Sequence, residues 1–179
     1  MMTSQIPTWL PEALKGTQRA TVRNASDGFL LGDLCVISPN EAHAAKGWQS
    51  NRICLLIGLE EFTARIVLTN NCTEYACDWD VCVKQPDTGL TFDLLIACDL
   101  VTTVSRTQIV KTVGRLDDAL LKPVIAAVSR DFEGISADRR GIAIRGPSDS
   151  RWGFRETELD DLYALTCLSA FNIAKEVLP

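Results

Sequence analysis

Short apolar runs parted by polar clusters rich in Gly, Pro, Asn and Asp occupy the chain from Phe29 to Cys98, the spacing of brief strands joined by turns. The first run, Phe29-Leu30-Leu31-Gly32-Asp33-Leu34-Cys35-Val36-Ile37, stops at Ser38-Pro39-Asn40, where proline removes a backbone donor and asparagine favours a turn. A polar loop is predicted from Asn40 to Asn51. Ile53 to Leu59 and Thr63 to Thr69, separated by Glu60-Glu61, predict a hairpin that Asn70-Asn71 ends. Between Asp78 and Lys84, Trp79, Val81 and Val83 alternate with Asp80, Cys82 and Lys84, the period-two pattern of a half-buried strand. A Pro/Gly turn over Gln85 to Gly89 then leads into a strand over Phe92 to Cys98.

The period changes after Gly114. Leu120, Leu121, Val124 and Val128 recur on one helical face, Asp117 or Asp118 offers an N-cap, and Pro123 is tolerable only near the helix start. Phe132 extends the stripe. Gly, Ser, Asp and Arg crowd positions 133–153, a linker or an ordered excursion. Thr157-x-x-Asp160 then has capping-box spacing ahead of Leu159, Leu162, Leu165 and Phe171, so an amphipathic helix is predicted from Thr157. The division expected is an N-terminal arm over 1–26, with one helix candidate around Glu12 to Ala20, a β domain over 27–132, and a linker plus helix over 133–179. The fold class expected is mainly β with C-terminal helices, as a small curled antiparallel sheet or barrel.

With 179 residues, 46% hydrophobic and 23% charged, the chain has material for one domain with a full core. Its net charge of −5 is not that of a general nucleic-acid binder. The excess lies in the β domain (+2 over 1–26, −5 over 27–132, −2 over 133–179), so any RNA contact there has to be local. No basic start leads into an apolar run, and no stretch of about 18 uncharged apolar residues occurs. A cytoplasmic protein with no membrane partner is therefore expected, its seven cysteines reduced. Cys72, Cys77 and Cys82 recur every five residues, but structural zinc sites use close pairs with a second pair or histidines, which this segment lacks. No metal or cofactor is expected.

Four blocks carry a resemblance. "GDLCVISP", "NRICLLIG", "TARIVLTNN" and "LLIACDLVTTVSRTQIVKTVGRLDDALLKPV" resemble, in that order, the MazF/PemK family of type II toxin–antitoxin ribonucleases over about Phe29 to Phe132. The last block is the most specific. The resemblance implies an SH3-like small barrel with a terminal helix, usually a homodimer, that cuts single-stranded RNA without a metal, through attack of the ribose 2′-hydroxyl on its neighbouring phosphate. A cognate antitoxin is the implied protein partner. The family's active-site arginine and threonine fall at Arg52 and Thr69, and its Thr-Val-Ser-Arg segment is implied to be the bend between barrel and helix. Ile53 stands where many members have proline.

The chemistry suits these residue types. Attack on a phosphodiester builds negative charge on the nonbridging oxygens, and a fixed guanidinium donates hydrogen bonds to them as that charge grows. Thr69 would add a hydroxyl donor to the same phosphate. His43, Lys46, Trp48 and Gln49, in the loop before Arg52, are the substrate-binding candidates, with Trp48 suited to stacking on a base and Trp79 a weaker candidate for that role. Arg139, Arg140, Arg145, Arg151 and Arg155 form a modestly basic stretch. Two functions compete: an endoribonuclease toxin, and a catalytically degenerate barrel of the same kind that acts as a protein-binding module or inhibitor. The C-terminal helix is a candidate cover for the site, because its apolar stripe has to be buried against something.

Overall fold

The computed structural model describes residues 28–47 and 51–166. Its centre is one six-stranded antiparallel sheet: β1 (Asp33–Ile37), β2 (Arg52–Leu59), β3 (Thr63–Asn70), β4 (Asp80–Val83), β5 (Leu94–Ser105) and β6 (Ile109–Arg115), in the order β4-β5-β3-β2-β1-β6. Antiparallel hairpins usually leave one face wet, yet Leu-Cys-Val-Ile of β1 and Ile-Cys-Leu-Leu of β2 are buried throughout. Both faces are covered. One core takes Ile53, Leu55, Val67, Leu94 and Ile96 with Val124 and Ala127 of helix α2 (Asp118–Val128). The other takes the alternate residues Cys54, Leu56, Ile66, Leu68, Leu95 and Ala97, with Leu165 of helix α3 (Ser150–Leu165) and Leu159 and Leu162 at its margin. Side chains on one strand point alternately to the two faces, so a continuous apolar run dictates a helix on each.

The sheet curls until its two edges communicate. The segment leaving β4 supplies carbonyls to the end of β6 and the residues after it: Arg115 N–H donates to Thr88 O (3.0 Å) and Asp117 N–H to Asp87 O (2.7 Å). Gly114 permits this approach, since a Cβ there would stand 2.7 Å from Thr88 O. Asp117 then caps α2 by accepting from Ala119 N–H at 2.8 Å. Pro123 sits inside α2, further in than a first-turn position.

Several expectations need correction. The loop over 40–51 contains a short helix, α1 (Glu41–Ala45), capped by Asn40. The strand predicted to end at Cys98 continues to Ser105, so Thr103, Val104 and Ser105 pair with β3 instead of bending away. The bend is the following turn Arg106–Gln108, with a capping box between Ser105 and Gln108, and it leads to β6 before the helix. Positions 133–149 are an ordered excursion, tied to the β4 edge by a bridge between Val81 and Arg140. Helix α3 begins at Ser150 with Asp149 as its cap, and Thr157 lies inside it, donating its hydroxyl back to Gly153 O at 3.1 Å. The arm over 1–26 and Phe171 lie outside the described residues. No helix among the described residues is long and apolar enough to cross a membrane.

Candidate functional site at the start of β2

Arg52 and Thr69 meet. Arg52 opens β2 opposite Ile37 of β1, and its Nη2 donates to the backbone carbonyl of Thr69, near the end of β3, at 3.3 Å. Neither side chain faces open solvent. The Thr69 hydroxyl donates to Ile53 O at 2.7 Å and the residue is 2% exposed, so this hydroxyl stitches β2 to β3 and is not presented to a ligand.

The guanidinium is taken by helix α3. Its Nη2 donates to both carboxylate oxygens of Glu158 (2.8 and 2.9 Å), and its Nη1 donates to Asp161. Glu158 and Asp161 are three residues apart, hence neighbours on one helical face. Asn70 completes the cluster: its Nδ2 donates to Glu158 Oε1 at 3.0 Å. One guanidinium and one amide therefore converge on oxyanions, the donor set that would also receive a phosphate. Burial works against the Arg52 charge, but Glu158 and Asp161 overcome it and its pKa lies above the ordinary value. For both carboxylates burial is the larger influence; it holds Glu158 and Asp161 above their usual range while Arg52 pulls the other way. Desolvation thus offsets much of the attraction.

His43 and Lys46 do not join this cluster. His43 lies in α1, with its backbone N–H donating to Asn40 Oδ1 (3.0 Å) and its ring Nδ1 3.1 Å from the same oxygen. Asn40 in turn donates to Thr166 O (2.8 Å), which puts this group at the far end of α3. Lys46 is exposed at the end of α1. Trp48 and Gln49 lie outside the described residues. Trp79 has one ring face covered, Arg130 standing 5.5 Å from its centroid, at a cleft of about 240 Å³ that Arg65, Asp99 and Phe132 also line.

A second charged cluster fixes the first half of α3. Arg155 Nη2 reaches Asp80 (2.7 Å), Asp99 (2.9 Å) and the Cys77 thiol (3.0 Å). Burial pushes the Cys77 thiol up to about 11. Cys77 also donates to Asp80 Oδ2 (3.2 Å), and no group of three or more His, Cys, Asp or Glu able to hold a metal exists among the described residues. The end of α3 is held separately, Gln108 Nε2 donating to Leu165 O at 2.9 Å.

The residues that sequence reasoning missed are Glu158, Asp161 and Asn70. Their only signal was the one-turn spacing of the two carboxylates on the helix proposed as a cover. No protein-family model matches the chain, and no curated protein matches it.

Proposed function

We propose that this chain is an RNA-cleaving barrel of the MazF/PemK kind, the toxin of a type II toxin–antitoxin pair, with Arg52 as the group that binds the scissile phosphate. One observation carries the reading: the Arg52 guanidinium, beside Thr69 and Asn70, already grips oxyanions. A sheet that curls until the end of β6 donates hydrogen bonds to the segment leaving β4 supports the small-barrel part of it. In the reaction the ribose 2′-oxygen bonds to the adjacent phosphorus and the bond to the 5′-oxygen breaks. The 2′ proton leaves to a base and the departing 5′-oxygen gains one, giving a 2′,3′-cyclic phosphate and a 5′-hydroxyl. Arg52 stabilises the charge on the nonbridging oxygens, and its loss should lower the rate by about 10² to 10³. Asn70 fits the second donor role better than Thr69, whose hydroxyl is committed to Ile53 O. Single-stranded RNA, a second copy of the chain and an antitoxin are the partners in this reading.

The second reading, a non-catalytic barrel that binds a protein, is favoured by the anchoring of α3 at both ends over an arginine whose two terminal nitrogens are engaged. Incubation of the purified chain and of Arg52→Ala with mixed single-stranded RNA in EDTA, followed by mapping of fragment ends, separates the two. Cleavage that leaves 5′-hydroxyl ends and disappears in the variant supports the nuclease. Intact RNA with both proteins supports the binding module.

A further inference from the structure

The two carboxylates on Arg52 are not equivalent. The Glu158 side chain is 2% exposed, accepts from Asn70 as well as Arg52, and sits where α3 meets the sheet. Asp161 is 14% exposed and, of these donors, meets only Arg52 Nη1. Of the two carboxylates, Asp161 is thus the one an incoming phosphate can reach and replace while Glu158 stays in place. The sequence of the helix makes such an exchange cheap. The fully buried residues of α3 are Arg151, Arg155 and Glu158 before Ala164 and Leu165, so up to Glu158 its deepest contacts with the sheet are ionic, with the half-buried Leu159 and Leu162 beside them. A rim carboxylate whose desolvation offsets its attraction contributes little to holding the helix down.

Resting on the RNA-binding reading of Arg52, we propose that Asp161 is an internal stand-in for an RNA phosphate: it occupies Arg52 Nη1 in the free protein and is displaced when single-stranded RNA binds, whereas Glu158 remains as a positioning residue that orients the guanidinium. Self-occupancy lowers apparent affinity by the fraction of molecules in which Nη1 is free. The adjacent Asp160 is exposed and is not one of the carboxylates paired with Arg52, so Asp160→Asn supplies the same change in net charge without the displacement.

The test is fluorescence anisotropy with a 2′-O-methyl single-stranded oligonucleotide, which cannot be cut by 2′-hydroxyl attack, at low salt, with folding checked by circular dichroism. Asp161→Asn and Asp161→Ala are expected to bind it about tenfold more tightly than the unaltered chain, Asp160→Asn no more than about twofold, and the gain should vanish when Arg52→Ala is added. Equal gains from positions 160 and 161, no gain at 161, or a gain that survives loss of Arg52 would each overturn the proposal. Cleavage of ordinary RNA is scored in parallel. Tighter, Arg52-dependent binding without cleavage keeps the stand-in and discards the nuclease, whereas cleavage by the unaltered chain with no gain at 161 does the reverse.

Discussion

Arg155 is the best place to measure what holds α3 on the sheet. Its side chain is 6% exposed and that of its partner Asp80 is 1%, with Asp99 as a second, 21% exposed partner. In Arg155→Ala, Asp99 turns to water, but Asp80 remains buried with only the Cys77 N–H (2.8 Å) and thiol (3.2 Å) as donors. Removing one partner of a buried pair costs about 3–5 kcal/mol, and the surviving backbone donor argues for the lower end, about 3 kcal/mol. With a urea m value of about 2 kcal/mol/M for a domain of this size, the unfolding midpoint should fall by about 1.5 M. Asp80→Asn in the Arg155→Ala background removes the stranded charge and should restore at least about half of the loss, a coupling read by completing the double-mutant cycle. Urea melts followed by circular dichroism measure all four proteins. A loss below about 1 kcal/mol in the single variant, or a double variant no more stable than Arg155→Ala, refutes the claim that a buried charge is being neutralised.

Gly114→Ala would drive a methyl group to 2.7 Å from Thr88 O, a carbonyl fixed by Arg115 N–H, and thermal melts should show a loss of about 2 kcal/mol or more. Arg130, at φ 65°, occupies the left-handed position after α2, where Asp131 N–H reaches Ala126 O and glycine is the usual residue. Arg130→Gly should therefore be near neutral, backbone relief of about 1 kcal/mol offsetting the lost cation–π contact with Trp79, while Arg130→Ala keeps the strain and should lose about 1 kcal/mol in the same melts. Because burial raises Glu158 and Asp161, the folded chain binds protons that the unfolded chain releases. Their contribution to stability is then complete below the ordinary carboxylate values of about 4 and declines as pH rises through the raised ones. Urea melts of the unaltered chain against Glu158→Gln, run from about pH 4 to 7, should show the advantage of the unaltered chain shrinking with pH; a growing advantage would mean that the pairing with Arg52 outweighs desolvation.

The strands were legible where burial leaves a periodic trace. The hairpin of β2 and β3 and the cap at Asp117 follow from apolar runs and from turn chemistry at Glu60-Glu61 and Asn70-Asn71. The first two turns of α3 were not legible, because their buried residues are Arg151 and Arg155 and a search for apolar recurrence finds nothing there. The extension of β5 to Ser105 was hidden for a different reason. Thr103 falls in the implied bend, yet the β-branched side chains of Thr102 and Thr103 suit the pairing with Ile66 and Arg65. At the site, the position of Arg52 was legible and its occupants were not, since Glu158 lies 106 residues away in sequence and Asp161 109.

The ionic contacts that hid the start of α3 also bear on function. Where its contacts are ionic, up to Glu158, α3 gains position more than free energy from them, because each buried charge gives back in desolvation most of what it gains in attraction. The apolar end of α3 at Leu165, with Gln108 on its carbonyl, can keep the helix in place whether or not Asp161 touches Arg52. Folding and occupancy of the guanidinium are thereby separable: the carboxylate can leave without the fold being lost. An apolar cover of the same length would not allow that, since uncovering Arg52 would then expose hydrocarbon at about 25 cal/mol for every Å². The charged stripe that hid the first turns of α3 is therefore what makes reversible occupancy of Arg52 physically reasonable.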